Sequence, residues 1–514
     1  MRKEISVINV INDTNVTNVT NVTNVTNVIN DINVINVTNV IKKTPTLTDH
    51  HTCSTCNPTD TSNNPTNPPT IMKQLTIITL LIISCIMPAT ARDYVITDFG
   101  ATTDTAQLST KAVQQAIDLC HKDGGGRVVV PNGAYTIGTI ILRSNVTLYL
   151  ENGATLYGST QLSEYKKLKP EYLSLRTQKE TIQLIYAEKA HNITITGQGT
   201  IDGQGKGFRK LTWDDEGITR PHLLRLIECE DVNVSGITLK NSACWMQHYL
   251  ACDRVRLSDL HIINRNNYNN DAIDIDGCHD VIIKGIFADS DDDAITLKST
   301  SPRKCEDVTI SDCVVSSHCN AIKLGTETNG GFKNINIHGI VVKPSADQST
   351  QFFGERRGIC AIALEIVDGG EMDNVIVSGI TVRGTESPIF IRLANRARGY
   401  YEGQRINNIG KLHDIMLSDI NVTEAGPYGC SITGMSGHRV ENITLRNIRI
   451  RHEGGGKPKK SVPDEKEDEY PEATMWGHLP AKGFYLRHTR NIKMENIEIS
   501  TTKADSRPDI VGWK

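Results

Sequence analysis

Two short segments concentrate carboxylates in a way that suits acid–base chemistry. They are residues 269–276, NNDAIDID, and residues 289–294, DSDDDA, so that Asp271 precedes the pair Asp292 and Asp293 by a short stretch of chain. Carboxylates packed closely together repel one another, which raises the pKa of one of them and supplies an acid and a base at a single pH. The segments therefore predict an acid–base site. A calcium site and a solvated acidic turn are the alternatives.

The elements that must position these aspartates belong to a repeat. From residue 92 onward a polar anchor residue is followed by an apolar-x-apolar triplet and a short turn. The anchors are Asn145, Asn192, Asp231, Arg254, Asp280, Asp307, Asn334, Asn374, Asp414, Asn442 and Asn491. From Asp231 to Asn334 they recur at a nearly constant step of roughly 25 residues, within the range of solenoid repeats. This period, with strand-like alternation and no helical pattern between strands, predicts a solenoid of stacked β coils. The longer steps elsewhere fit one coil with an insertion or two coils together.

The position two residues before each anchor is apolar or a thiol, as an inward-facing stack requires. These residues are Cys229, Cys252, Cys278, Cys305, Phe332, Met372, Leu412 and Val440. Because stacked strands lie about 4.8 Å apart, wider than the Cβ separation of a disulfide, we expect buried free thiols. The two acidic segments are separated by close to one step of the repeat, so their aspartates should project from neighbouring coils. Such coils can provide the separation of about 6.5–9.5 Å between acid and base in an inverting glycosidase.

A helix at the N-terminal end of the repeat is expected to cap the solenoid. From Ser109 to Lys122 apolar residues fall at helical spacing: Ala112, Val113, Ala116, Ile117 and Cys120. Residues 124–126, all glycine, should end this helix, and residues 128–130, all valine, should start the first strand. We therefore expect an all-β, single-domain parallel solenoid over residues 92–514 with a short N-terminal capping helix.

The residues before 92 are predicted to lie outside the working protein. Residues 8–40 are a low-complexity run of Asn-Val-Thr and Asn-Val-Ile triplets, whose period of three fits neither a strand nor a helix. Residues 44–70 are mainly Thr, Asn, Pro and Ser, too polar to bury a core. We expect residues 1–71 to be disordered or to precede the true start at Met72.

Residues 72–91 have the pattern of a signal peptide. A lysine at the start, an apolar run from Leu75 to Met87 and an A-x-A site at residues 89–91 predict export, with Arg92 as the mature N-terminus. The apolar run is too short to span a bilayer comfortably. In an alternative interpretation, Cys85 is the lipidated cysteine of a lipoprotein, which is also exported.

Composition narrows the classes of partner. The chain has 514 residues and a net charge of −4, which argues against a nucleic-acid or polybasic membrane partner. Thirteen cysteines are too few for a disulfide scaffold, and their spacing does not match a zinc site. Forty glycines and 5% aromatics are typical of β structure with many tight turns. Composition does not predict an oligomeric state.

The acidic segments resemble the signatures of glycoside hydrolase family 28, the polygalacturonase and rhamnogalacturonase family. Residues 269–274, NNDAID, resemble N-T-D-G-I-D, and residues 292–299, DDAITLKS, resemble D-D-C-I-A-I-K-S at the family's spacing. Residues 199–205 and the stretch from Arg220 to His248 are also similar to family motifs. The resemblance implies a right-handed parallel β-helix and hydrolysis of pectic glycosides with inversion.

The resemblance also implies residue roles. Asp292 would be the general acid, and Asp271 and Asp293 would hold and deprotonate the attacking water. Candidate substrate-binding residues carried by the same stretches are Asn269, Lys298, His248 and Trp245, with Lys298 pairing with the aspartates as an alternative. Trp245 could equally be a buried core residue. Glu327 is a further, weaker candidate.

Two family motifs are changed in this chain. The G-H-G motif aligns with residues 319–321, so that Asn320 stands in place of histidine; His318 could substitute if the turn is re-routed, or be a surface histidine. The R-I-K motif that binds a galacturonate carboxylate aligns with residues 363–365, where Glu365 would repel a uronate. A rhamnose-type substrate is then plausible. Alternatively, cations of the segment 391–398 replace the missing ones: Arg392, Arg396 and Arg398.

The expected function is that of an exported inverting hydrolase of galacturonate- or rhamnose-containing pectic glycans, requiring no organic cofactor and no metal. A long loop at residues 454–476 could wall the cleft and select endo or exo action, or be disordered. Two alternatives remain: a β-helix polysaccharide lyase, whose acidic clusters would bind calcium, and a non-catalytic carbohydrate-binding solenoid.

Overall fold

The computed structural model describes residues 92–212, 215–352, 354–457 and 462–513, which wind as stacked coils. The low-complexity segment, the signal-peptide segment and Cys85 lie outside the described residues. Two sheets run the length of the stack, and all their strand pairings within the described residues are parallel except that of β7 with β8. Within the same residues, no helix is long and apolar enough to cross a membrane.

The first sheet receives two segments from each coil, on either side of a bend. From β24 onward the two segments form one continuous strand. Its strands are β1 Asp93–Val95, β2 Gly126–Val130, β3 Gly133–Ile137, β5 Val146–Leu150, β6 Ala154–Gly158, β9 His191–Gly197, β10 Thr200–Asp202, β12 Glu230–Ser235, β13 Thr238–Lys240, β15 Asp253–Ser258, β16 His261–Asn264, β18 His279–Lys284, β19 Phe287–Ser290, β21 Cys305–Ser311, β22 Val314–Ser317, β24 Gly331–Val342, β26 Glu371–Arg383, β28 Lys411–Ala425, β30 Val440–His452 and β32 Thr489–Thr501.

The second sheet receives one segment from each coil. Its strands are β4 Ile140–Ile141, β7 Lys167–Leu168, β8 Thr181–Glu188, β11 His222–Ile227, β14 Gln247–Leu250, β17 Ile273–Asp276, β20 Ile295–Ser299, β23 Asn320–Thr328, β25 Gly358–Ile366, β27 Thr385–Leu393, β29 Cys430–Thr433, β31 Phe484–Arg487 and β33 Ile510–Trp513. The helical segments are α1, Thr110–Lys122, and 3₁₀ turns at Ile96–Phe99, Leu162–Glu164 and Gly205–Gly207.

The polar anchor of each repeat is the residue at which the coil turns. All eleven anchors have a left-handed backbone with φ between 53° and 66°. Asn and Asp tolerate this conformation better than other side chains, which explains why they occupy nearly every anchor. The anchor side chains also bond from coil to coil: the Asn334 amide donates to Asp307 at 2.9 Å, and the Asn374 amide donates to Asn334 at 2.8 Å.

The strand register shows that the longer steps in the repeat are single coils with insertions. Ile335 pairs with Val375, and Val375 pairs with Ile415, although both steps are longer than those of the central coils. Ile443 likewise pairs with Ile492 across a step that is longer still. The insertions therefore leave the stack intact. They lie at residues 159–180, 203–221, 343–357, 394–410 and 453–483, where the chain enters or leaves the second sheet.

The interior stack before the anchors is confirmed. Cys305 pairs with Phe332, which pairs with Met372, and the column continues through Leu412 to Val440. Every cysteine of the described residues is a buried free thiol, as the strand spacing predicts.

The capping helix is also confirmed. All five of its predicted apolar residues are buried in the core at the end of the solenoid. The prediction that the valines at 128–130 start the first strand is wrong, because β1 at Asp93–Val95 precedes the helix and pairs with β2. With three residues, β1 is too short to show an alternation in the sequence.

Candidate active site

The outer face of the second sheet carries a row of polar side chains. Strands β17 and β20 turn their isoleucines and leucine inward, so the alternate residues face outward. In register, the outward row contains Arg225, His248, Asp274, Thr296 and Lys323, one from each successive coil. This row forms the floor of the candidate site.

The three predicted catalytic aspartates lie where the chain enters this sheet. Backbone hydrogen bonds join the segments that enter the sheet on successive coils. The Ala272 amide donates to the Asp293 carbonyl, and the Ala294 amide donates to the Asn320 carbonyl, both at 2.9 Å. The aspartates therefore lie on neighbouring coils, as their spacing predicts. Asp271 and Asp293 are buried, and Asp292 is half-buried.

Two lysines form ion pairs with some of these carboxylates and not with others. The Lys298 ammonium lies 3.4 Å from both Asp271 and Asp274, and the Lys323 ammonium lies 3.1 Å from Asp293. Within the described residues, Asp292 forms no ion pair; its Oδ1 accepts the Asp293 amide at 2.9 Å. Asp292 is thus the one member of the predicted catalytic trio that lacks a cation in direct contact.

The pKa values of Asp292 and Asp293 follow their contacts with lysine. Burial, with the charges of Asp271 and Asp293, holds the pKa of Asp292 well above its ordinary value. Burial acts in the same direction on Asp293, but Lys323 and Lys298 outweigh it and lower the pKa of this group. Burial also raises the pKa of Asp271 against the opposing effect of Lys298. A proton donor therefore stands beside an ionised carboxylate.

The place of the missing family histidine is taken by an amide. Asn320 donates from its side chain to Asp293 Oδ1 at 2.7 Å. His318 is buried, bonded to Asp291 at 3.1 Å and to the Asp347 carbonyl at 2.9 Å. The alternative that His318 is a surface histidine is wrong, and its ring is not bonded to any of the predicted catalytic aspartates.

Trp245 and His248 lie beside the aspartates but are enclosed. The Trp245 side chain is 4% exposed, with Arg176 and Lys298 at 4.6 and 4.5 Å from its ring centroid, so little of the ring is left for a sugar. His248 Nε2 pairs with Asp276 at 3.0 Å, and burial lowers the pKa of this histidine to about 4. A substrate contact by either residue stays a prediction.

Asn269 and Lys298 are both held by protein groups. The side-chain oxygen Oδ1 of Asn269 accepts from Arg220 at 3.2 Å, and the residue has a left-handed backbone with φ of 50°. Lys298 pairs with the aspartates, which is the alternative expected for it, and also lies 3.6 Å from Glu327. Glu327 further accepts from Arg176 at 2.8 Å.

Glu365 departs from its expected behaviour. It is 1% exposed, and burial raises its pKa to about 8 against the effect of Lys323. At pH 7 the carboxyl is then mostly neutral. The raised pKa argues against repulsion of a uronate carboxylate by Glu365 at neutral pH, and that repulsion stays a prediction.

The three arginines of segment 391–398 differ in their partners and in their exposure. Arg392 is 1% exposed and donates to backbone carbonyls of the 453–483 insertion, including that of Glu465 at 2.6 Å. Arg396 is bound to Asp368. Arg398 pairs with Glu327 at 2.6 Å and is about one-third exposed. Of the three, Arg398 has the greatest access to a ligand.

Several residues at the site are absent from the sequence prediction. Lys323 could have been found, because its register places it on the outward row one coil after Asp293. Glu472 could not: it belongs to the 453–483 insertion, and its carboxylate reaches to 3.9 Å from Lys323. Tyr470, from the same insertion, accepts from Lys323 at 3.3 Å. The described part of the predicted loop thus reaches the lysine that pairs with Asp293, and its role as a wall of the cleft stays a prediction.

Comparison with known proteins identifies the family. The sequence profile of glycosyl hydrolases family 28 matches residues 120–467. A probable polygalacturonase of Vitis vinifera is 28% identical over 305 residues, 56% of this chain and 60% of that protein. An exo-poly-alpha-D-galacturonosidase of Dickeya chrysanthemi is 35% identical over 154 residues, 28% of this chain and 25% of that protein. The chain thus spans less than two-thirds of the length of either relative.

Solved structures agree in fold. The exopolygalacturonase of Thermotoga maritima has a TM-score of 0.60 at 18% identity, over 80% of this chain and 92% of that one. The family 28 exopolygalacturonase of Yersinia enterocolitica has a TM-score of 0.61 at 19% identity, over 82% and 78%. At these identities the likeness concerns the fold, a right-handed parallel β-helix. On the evidence of the family profile, which covers more than half of its length, the chain belongs to glycoside hydrolase family 28.

Proposed function

We propose that this protein is an exported glycoside hydrolase that cleaves pectic glycans containing galacturonate or rhamnose, with inversion at the anomeric carbon. Membership of family 28 and the polygalacturonase relatives support hydrolysis and the substrate class. The signal-peptide pattern at residues 72–91 supports export. The enzyme would work without an organic cofactor or a metal.

The observation that carries the proposal is the unequal environment of adjacent aspartates. Lys323 and Asn320 both contact Asp293 and favour its ionised form, whereas Asp292 has no such partner among the described residues and keeps its proton. Neighbouring carboxyl groups whose pKa values are driven apart are the arrangement that glycosidic acid–base catalysis requires.

In the proposed reaction, Asp292 protonates the departing glycosidic oxygen as the bond to the anomeric carbon breaks. Asp293 and Asp271 orient a water on the opposite face of the sugar and accept its proton. Asp292 and Asp293 each place an oxygen within 4.8 Å of the other, closer than the about 6.5–9.5 Å of typical inverting pairs.

The deciding experiment is product analysis of the protein with polygalacturonan and with rhamnogalacturonan fragments, alongside an Asp292→Asn variant. We expect new reducing ends and saturated products from the unmodified protein, with the variant at least about 10²-fold slower. The better substrate identifies the sugar at the cleaved bond. The anomer released first, followed by NMR, tests inversion: a product of retained configuration would contradict it.

The same experiment separates the alternatives. A lyase would give unsaturated products that absorb in the ultraviolet and would lose activity on addition of a chelator. A non-catalytic solenoid would bind the glycans and release no reducing ends. Either result, or equal yields from the variant and the unmodified protein, would refute hydrolysis through Asp292.

A further inference from the structure

A pocket of about 280 Å³ adjoins the proposed catalytic centre. Its floor is formed by Arg225 and His248 of the second sheet, and its rim by the 159–180, 203–221 and 394–410 insertions. Trp245 lines the pocket, and Lys298, which contacts Asp271, lies 4.5 Å from its ring. A glycan bound across the aspartates can therefore extend into this pocket.

The lining of the pocket is rich in cations. Among the described residues it includes the positively charged Arg176, Lys179, Arg225 and Arg398. The carboxylates among the lining residues are Glu216 and Glu402. Arg176 is compensated by Glu216 and by Glu327, each at 2.8 Å, and Arg398 by Glu327. Arg225 and Lys179 are the lining cations that form no ion pair within the described residues, and four lining cations face only Glu216, Glu402 and the nearby Glu327.

Arg225 is a buried guanidinium without a carboxylate partner among the described residues. It is 1% exposed and donates to the Thr181 hydroxyl and to the Arg176 carbonyl oxygen, while its Nε has no hydrogen-bond partner. Burial lowers its pKa to about 10. A buried charge is costly unless an opposite charge or a full set of hydrogen bonds compensates it. The charge of Asp276 raises the pKa of Arg225 but forms no ion pair with it within the described residues, so a bound anion would add the compensation that is lacking.

Two histidines, His222 and His248, lie beside Arg225 in the same pocket. Burial, together with the charge of Arg225, lowers the pKa values of both His222 and His248, so that both rings are neutral at pH 7. His248 Nδ1 is buried and has no hydrogen-bond partner in the part of the chain that the structure describes. Within the described residues, the pocket thus offers a guanidinium without an ion pair to an anion, and an imidazole nitrogen to a hydroxyl group.

We propose that this pocket binds the carboxylate of a hexuronate residue of the glycan, with Arg225 as the specificity-determining residue and Lys179 adding charge at the rim. The planar fork of a guanidinium matches a carboxylate, and the sugar hydroxyls would meet the histidine. The inference rests on the proposed function, because it assumes that a glycan lies across the aspartates. Glu365 stands where the R-I-K motif has a lysine, so Arg225 would provide this chain with a different means of selecting an acidic sugar.

Binding to the Asp292→Asn variant tests the pocket independently of turnover. Calorimetry would compare digalacturonate with its methyl ester, which lacks the charge but keeps the sugar. We expect tighter binding of the acid. Adding Arg225→Gln should weaken binding of the acid by about tenfold or more, and Lys179→Gln by about two- to fivefold, with little change for the ester.

The matched control is Lys189→Gln, a half-exposed lysine paired with Glu171 outside this pocket, which should leave both affinities unchanged. If Arg225→Gln fails to fold by circular dichroism, the exposed Lys179 carries the test. Equal affinities for acid and ester, or equal losses for both, would overturn the pocket assignment even if the unmodified protein hydrolyses pectin. Acid-selective binding that depends on these residues, without hydrolysis by the unmodified protein, would support the pocket and refute the proposed function.

Discussion

At the scale of single residues, the catalytic proposal depends on two adjacent aspartates that differ in their contacts. Asp292→Asn removes the proposed proton donor, and Asp293→Asn removes a carboxylate proposed to hold the water. We expect each to reduce kcat by a factor of about 10²–10⁴. Asp280→Asn is the matched control, because Asp280 is an anchor of the first sheet and asparagine also tolerates its φ of 56°. Activity of Asp292→Asn equal to that of this control would exclude the proposed acid.

Lys323 is expected to set the pH range over which the proposed catalytic aspartates work. Its ammonium favours the ionised forms of both Asp293 and Asp292. Lys323→Met should therefore raise both pKa values, and both limbs of the pH profile of kcat/KM should move to higher pH. Lys333→Met is the control, since this lysine lies on the first sheet, paired with Glu306. An unchanged acidic limb would show that Lys323 does not act on the base.

At the scale of elements, the anchors predict which substitutions the solenoid tolerates. Asn334→Val places a β-branched residue at φ of 55° and removes two inter-coil hydrogen bonds. We expect a loss of about 2–4 kcal/mol in the free energy of unfolding. Asn334→Gly loses the same bonds but adopts this φ freely, so it should cost less. Urea denaturation of the two variants measures the difference, and a glycine variant less stable than the valine variant would contradict the role of the anchor backbone.

The sequence predicts this framework well because its determinants are local and repeated. The alternation, the interior thiols and the helix at Thr110–Lys122 each follow from spacing within one or two coils. The left-handed anchors are implied by the prevalence of Asn and Asp, although Arg254 breaks that pattern. Contacts made by the insertions cannot be predicted in this way. Glu472 meets Lys323 from a distant part of the chain, and no periodicity constrains where a single long loop folds back.

At the scale of the whole molecule, one apolar core runs through the coils from α1 to β31, and its two ends differ. The N-terminal end is covered by α1, whereas the apolar residues of β32 are only partly buried: Ile492, Met494, Ile497 and Ile499. Stability in a stack of coils is a sum of coil and interface contributions, so a coil with one neighbour is the weakest. Hydrogen exchange should therefore be fastest, among the strands of the first sheet, in β32.

Buried glutamates make the stability of the fold depend on pH in a specific direction. Burial raises the pKa of Glu365 to about 8 and that of Glu472 to about 7, above their ordinary value of 4.5. Because the folded state holds these protons more tightly than the unfolded chain, their contribution is complete below about pH 4.5. It is lost as pH rises through about 7 to 8.

Glu365→Gln removes one of these titrations while keeping a side chain of similar size. We expect the urea midpoint of the unmodified protein to fall between pH 5 and 8 more steeply than that of the variant. Glu498→Gln, which alters an exposed pair with Arg449, is the control and should follow the unmodified protein. Parallel curves for the unmodified protein and Glu365→Gln would mean that Glu365 is ionised in the folded state. The repulsion of a uronate at this position would then be restored, and selection of an acidic sugar would depend still more on Arg225.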